Sequence, residues 1–321
     1  MSIRRASLAA LLSLMGVFGL LGLTPSLVHS QPAAASAAAS RARLRAEMSD
    51  IAQATHGPVG AAACVVEGGS VVSLHGEQRF PMQSVYKLPI AVAILRQVDL
   101  GRLSLNQPVR IRQSDLVPPS RGSPIRDKYP HGTTMTVSQL LQAMMSVSDG
   151  TASDILLTRA GGPEQVTAYL HSLGVHGIVV ATTERAMVQE QVQYRNWATP
   201  DAMVRLLCAL QQGRGLSPSR RRLLLGLMIG STTGADRIKG LLPVGTVVAH
   251  KTGASGTIGG LTRATNDVGL ITLPDGRHLA VAVFVSDTRV NDTVQASVIA
   301  KIARAAWDCR AGLEASGLTA R

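Results

Sequence analysis

The chain has 321 residues, 45% of them hydrophobic and 16% charged, with 31 glycines and 15 prolines, a composition that excludes disordered and fibrous classes. Its length admits one large core or two modest ones, because single cores stop growing at roughly 250 to 300 residues. A net charge of +12 would suit nucleic acid, but aromatics are only 3% and the basic residues are scattered, so a solvated basic surface and no nucleic-acid partner are expected.

Arg4 and Arg5 precede an uncharged run over 6–28, followed by small residues, which is the pattern of an export signal over 1–30. Val28 and Ser30 suit cleavage after Ser30, and a cut within the alanine-rich stretch that follows is the alternative. The run is also near the length of an uncleaved membrane anchor, and it holds no cysteine to carry a lipid. The expectation is an exported monomer, periplasmic or secreted, with no stable membrane association once the signal is cut. Residues 31–40 are low-complexity and read as a flexible leader. Cys64, Cys208 and Cys309 lack the paired spacing of a metal site. Whether two of them pair stays open.

Further along, apolar residues at helical spacing predict an amphipathic helix over 41–54. Small and β-branched runs at 60–66 and 71–74 around a GluGlyGly turn predict a hairpin. A helix follows over 88–97, then a long irregular connection over 116–133, rich in proline, glycine and charge. Helices are predicted over 137–147, 152–159, 163–173, 200–212 and 218–229, several opening on proline or a capping residue. After 230 the pattern turns to strands, at 246–250, 266–273 and 279–286, with ProAspGly at 274–276 as a turn and a closing helix over 293–310. This order predicts an α+β fold of the α-β-α sandwich type. An antiparallel sheet of about five strands would be built from both chain ends, 41–80 and 230–321, between N- and C-terminal helices. An all-α domain over 81–229 would be inserted.

Three short motifs carry chemistry. In SVYK, Ser84 and Lys87 stand three apart at a helix start, which stacks the amine over the hydroxyl beneath the positive end of the helix dipole. A partly desolvated amine crowded by other cations is able to accept a proton, which makes Ser84 a candidate nucleophile. In SDG, Ser148 sits between two helical segments, where a loop tip can aim its hydroxyl into a cleft, and Asp149 reads as a loop-holding residue. In KTG, Lys251 and Gly253 share one strand face while His250 and Thr252 share the other, and Gly253 removes a side chain where a ligand could approach the backbone.

Together these motifs, in this order, are those of the penicillin-recognising serine enzymes. Over 41–310 the chain resembles a class A serine β-lactamase, with support from TTGADRIKGLLPVGTVVAHKTG and TNDVGLITLPDGR. TTERAMVQEQVQYRNWATP, at 182–200, looks like the Ω loop of a subgroup with several extended-spectrum enzymes. The resemblance implies acylation of Ser84 by a β-lactam, its proton accepted by Lys87 or by Glu184 through a water, and deacylation by water activated by Glu184, which lies 36 residues after Ser148 and 67 before Lys251. Glu190 is the competing carboxylate. It further implies an oxyanion hole from the N–H groups of Ser84 and Ala254, proton relay through Ser148 and Lys251, and a substrate-binding rim of Gly150, Thr252, Gly253, Ser255 and Arg237. No metal or organic cofactor is implied, and the partner is a small-molecule β-lactam.

Two departures stand out: Gly150 where the family commonly has asparagine, and Val188 where many members have an asparagine beside the hydrolytic water. Trp197 and Tyr194 are expected to pin the Ω loop, and Met144 and Met145 to pack a core. The alternatives are a D-alanyl-D-alanine carboxypeptidase acylated on the same serine, which would not depend on Glu184, and a penicillin sensor that stays acylated.

Overall fold

The computed structural model describes residues 31–313, so the expected export signal lies outside the described residues. Helix α1 (Gln31–Ala52) leads into strands β1 (Val59–Val65), β2 (Val72–Leu74) and β3 (Phe80–Pro81). Helix α2 (Lys87–Asp99), strand β4 (Pro108–Arg112), helix α3 (Pro124–Lys128) and strand β5 (Gly132–Thr136) follow. Next come helices α4 (Val137–Ser146), α5 (Gly150–Arg159) and α6 (Pro163–Ser172). Strands β6 (Ile178–Val179) and β7 (Trp197–Ala198) bracket the Ω segment, and helices α7 (Pro200–Gln211) and α8 (Pro218–Ile229) complete the helical middle. The chain returns through β8 (Val248–Ala254), β9 (Thr257–Ile258), β10 (Leu261–Thr272) and β11 (His278–Thr288) to helix α9 (Asp292–Asp308).

The main sheet has the order β2-β1-β11-β10-β8, with β9 paired to β10, and its pairs are antiparallel. It joins both ends of the chain, as the sequence pattern predicts. Alternation explains why its central strands read as continuous apolar runs. In β11, Leu279, Val281, Val283 and Val285 pack with residues of α1 and α9 such as Leu44, Met48, Ile299 and Ile302. The other face, Ala280, Ala282 and Phe284, packs with the helical middle. Both faces are covered, so no polar alternation survives. Phe284 also stacks on Phe80, with ring centroids 5.9 Å apart, and burial of such a ring stabilises by about 2 to 3 kcal/mol.

Two expectations need correction. The alanine-rich stretch 31–40 is the first part of α1 rather than a flexible leader. Alanine has the best helix propensity of any residue, and no breaker separates the run from the amphipathic segment after it. The connection over 116–133 is also less irregular than predicted, because it contains α3, capped by Ser123 with Pro124 in the first turn. It also ends in β5, which pairs with β4. Pro108, Gly132, Arg110 and Arg112 break up the strand signal of that ribbon. All three cysteines are free, and the Cys64 and Cys208 side chains share a hydrogen bond between β1 and α7.

Of the buried polar residues in β10, Asn266 and Asp267 position neighbouring segments. Asn266 donates through Nδ2 to the carbonyls of Pro81 at 2.8 Å and Met82 at 3.0 Å. Asp267 lies beside buried His250 at 2.9 Å and accepts from the Ile238 N–H at 3.2 Å. Asn266→Ala should therefore lower the unfolding free energy by about 1 to 3 kcal/mol, the usual cost of leaving a buried carbonyl without its donor. Urea denaturation of native and variant protein measures this.

Candidate active site

Ser84 sits in a 3-10 turn, Gln83–Tyr86, that runs directly into α2. In such a turn residues i and i+3 eclipse one another. Lys87 Nζ accordingly donates to Ser84 Oγ at 3.0 Å. The entry is strained, because Gln83 takes the left-handed conformation at φ 45°, uncommon for a side chain of this size. Gln83 Nε2 is held by Gln193 Oε1 at 2.9 Å, so the Ω segment helps fix the turn.

Ser148 is also left-handed, at φ 61°, on the short link between α4 and α5. Its hydroxyl lies 3.3 Å from Lys87 Nζ and 3.1 Å from Lys251 Nζ, while its carbonyl accepts from Lys87 at 2.7 Å. Asp149 locks this link by accepting from the N–H groups of Ile125 at 2.7 Å and Ala152 at 2.8 Å. The serine, placed between two ammonium groups, has little freedom left. Burial, reinforced by the Lys87 charge, presses the Lys251 amine well below its ordinary value.

Glu184 is buried, with Oε2 3.4 Å from Lys87 Nζ and 3.2 Å from the Tyr86 hydroxyl, which donates to it. Arg121 donates to Oε1 through Nε at 2.8 Å and also through a terminal nitrogen. Burial alone would raise the Glu184 pKa, but Lys87 and Arg121 outweigh it and hold the carboxyl below its usual range. Asp154 on α5 anchors the backbone here, accepting from the N–H groups of Glu184 at 2.6 Å and Arg185 at 3.0 Å. Burial pushes the Asp154 pKa up to about 6.

These groups open on a cleft of about 410 Å³ lined by Ser84, Lys87, Ser148, Glu184, Arg237 and Thr252, with Ala254 and Ser255 on its strand side. Arg237 is tied to the carbonyls of Gly253 at 3.1 Å and Asn266 at 2.9 Å. Ser255 Oγ accepts from the N–H groups of Arg263 at 3.0 Å and Ala264 at 3.1 Å. Gly253 lies behind the wall, where an added Cβ would come 2.5 Å from the Met82 carbonyl oxygen. Gly150 packs against Glu184 rather than facing the cleft. A larger cleft of about 530 Å³ beside α6 and β6 brings no nucleophile to a base.

Other residues fall where the sequence suggests or away from the chemistry. Glu190 is half exposed and pairs with Arg263, and Val188 is exposed. Tyr194 donates to Asp287 and Trp197 pairs with Pro81 and Val179 under the Arg79 guanidinium, so both tie the Ω segment down. Met144 and Met145 are fully buried. Sequence reasoning misses Tyr86, Arg121 and Asp154. Their partner is distant in the chain, and only the SVYK motif, which contains Tyr86, points near any of them.

A serine hydroxyl beside a lysine amine, with a second lysine and a buried carboxylate around the same cleft, is the equipment of an acyl-transferring serine hydrolase. The profile described as the beta-lactamase enzyme family matches residues 43–309. Among relatives, beta-lactamase VEB-1 of Pseudomonas aeruginosa is 37% identical over 268 residues, covering 83% of this chain and 89% of the relative. The extended-spectrum beta-lactamase PER-1 of the same organism is 43% identical over 232 residues, covering 72% and 75%. A beta-lactamase structure from Chitinophaga pinensis matches at 45% identity with a TM-score of 0.81, over 84% of this chain and 99% of that one. The structure of TLA-1 extended-spectrum beta-lactamase matches at 40% and 0.82, with the same coverage. The chain belongs to the beta-lactamase enzyme family and is a class A serine β-lactamase.

Asp154 generates a test of how the Ω segment is held. Hydrogen bonds to a charged acceptor contribute about 1.5 to 3 kcal/mol each. Asp154→Ala should therefore speed hydrogen exchange at the Glu184 and Arg185 amides by roughly ten- to a hundredfold, while amides of β11 keep their protection.

Proposed function

We propose that this protein opens the β-lactam ring through an ester on Ser84 and frees itself with water activated by Glu184. The observation that carries this reading is the contact chain Ser84 Oγ, Lys87 Nζ, Glu184 Oε2, with steps of 3.0 and 3.4 Å inside one cleft. Ser84 Oγ attacks the lactam carbonyl as its proton leaves toward Lys87 Nζ, the group in contact with it at 3.0 Å, or through a water toward Glu184. The N–H groups of Ser84 and Ala254 stabilise the oxyanion as it forms. When the C–N bond breaks, the ring nitrogen takes a proton from Ser148, and the proton that left Ser84 restores the Ser148 hydroxyl, which Lys251 and Lys87 flank. Thr252, Ser255 and Arg237, with Lys251 behind them, supply the polar, positive wall for the substrate carboxylate. Glu184 then takes a proton from water as its oxygen attacks the ester, and as the Ser84–acyl bond breaks that proton passes on to Ser84 Oγ, regenerating both the hydroxyl and the carboxylate.

The N-terminal signal pattern supports export to the periplasm or beyond, where such an enzyme would meet its substrate and confer resistance. Among the described residues no helix is long and apolar enough to cross a membrane.

A chromogenic cephalosporin tests the reading on the mature protein. Native protein should turn over continuously, Ser84→Ala should form no covalent adduct, and Glu184→Gln should accumulate an acyl-enzyme visible by intact mass. A single burst from native protein, with no sustained turnover, would instead point to a carboxypeptidase-like enzyme. Unchanged turnover of the glutamine variant would exclude Glu184 as the base.

A further inference from the structure

An ionised carboxylate offers about four lone-pair sites. On Glu184, two donors of Arg121 occupy Oε1, and the Tyr86 hydroxyl donates to Oε2, which also faces Lys87 Nζ at 3.4 Å. A water that is to lose its proton must first donate a hydrogen bond to the base. In this arrangement Oε1 is closed to it while Arg121 stays, and Oε2 is crowded by Tyr86 and Lys87.

The glycine at 150 leaves room for the Glu184 side chain and for the backbone of Gly122, the residue after Arg121. A Cβ there would stand 2.8 Å from Glu184 Cγ, 3.0 Å from the Gly122 carbonyl oxygen and 3.3 Å from Val117 Cγ2. Instead the Gly150 N–H donates to that Gly122 carbonyl at 2.9 Å, which docks the arginine-bearing loop onto the start of α5. The loop is further braced by Arg126, whose guanidinium donates to the carbonyls of Arg121 at 2.6 Å and Pro118 at 2.7 Å. The amide missing at Gly150 is thus exchanged for a guanidinium from a neighbouring loop.

We propose that Arg121 is a positioning residue that acts as a brake on deacylation, holding Glu184 Oε1 hydrogen-bonded until it swings away, and that Gly150 leaves room for the loop that carries it to dock beside Glu184. This rests on the acylation and deacylation scheme proposed above. The guanidinium contributes in two ways, by filling acceptor sites and by making the carboxylate a weaker base. The charged and titratable groups facing Glu184 are Lys87 and Tyr86 at the start of α2, Arg121 from the loop, Asp154 from α5, and Lys251 from β8 at longer range. Of these, Lys87 and Arg121 lower its pKa against burial. Loss of Arg121 therefore raises that pKa, and the carboxylate begins to protonate at a higher pH as the solution is acidified.

The experiment acylates each protein with a chromogenic cephalosporin and follows acylation by the optical burst and deacylation by intact mass across pH. Arg121→Gln should deacylate about tenfold faster at neutral pH and above, within the 10²–10⁴-fold range available to a general base. Its acid limb should move to higher pH. Arg121→Lys should restore part of the slow rate. A folded Arg121→Gln protein with equal or slower deacylation, or an unmoved acid limb, overturns the proposal. These failures are separate from failure of the catalytic scheme, which would show as adduct formation on Ser84→Ala or as native deacylation by Glu184→Gln.

Discussion

Two lysine ammonium groups and one glutamate lie almost wholly out of solvent around the same serine pair, with Lys87 at 1%, Lys251 at 0% and Glu184 at 3% exposure. Charges cannot be taken from water without partners, because each bare ion costs several kcal/mol even after relaxation. The hydrogen-bond network of the cleft meets that demand. Lys87 is shared by Ser84, Ser148 and Glu184, and Lys251 is shared by Ser148 and the Thr252 carbonyl. Ser148 is the hinge of the arrangement, since its one hydroxyl meets both amines. The strained backbone at Gln83 and Ser148 persists because this network holds both residues from several sides.

The sheet and the helical middle meet at this cluster. Lys251 and Thr252 come from β8, which pairs with β10, whereas Lys87, Ser148 and Glu184 come from α2, the link before α5, and the Ω segment. Their relative position is secured by contacts that take no part in the chemistry. Gly253 lets the Met82 carbonyl approach β8, Asn266 ties Pro81 and Met82 to β10, and Arg237 bridges the carbonyls of both strands. Ser84 is therefore held by the sheet as much as by its own helix. Preorganised donors of this kind need no rearrangement when charge develops.

The glutamate depends on a different set of supports. Asp154 holds the backbone of Glu184 and Arg185 from α5, and Asn196 closes the Ω segment by accepting from the Ala181 and Thr182 N–H groups at 2.8 and 3.0 Å. At the outer side, Glu190 and Tyr194 attach the loop to Arg263 and Asp287. Glu184 thus lies buried in the cleft while Glu190 pairs at the surface, a division made by burial and not by residue type.

Much of this was legible in the chain. Periodicities of two and near four separated sheet from helix, and SVYK, SDG and KTG named Ser84, Lys87, Ser148 and Lys251, because local spacing carries hydroxyl and amine chemistry. The alanine run at 31–40 was misread because low complexity hides helix propensity, and β4 with β5 escaped because their pairing is supplied by a partner strand. Sequence alone determined which groups are present and which neighbours share a turn or a strand face, since those relations follow from a few covalent bonds and the pitch of the backbone. Tertiary structure decided that Arg121 grips Glu184, that Gly150 serves as a packing gap, and that Lys251 meets Ser148. Such contacts join residues 30 to 100 positions apart, and only the packing of a whole core brings groups at that separation within hydrogen-bond reach.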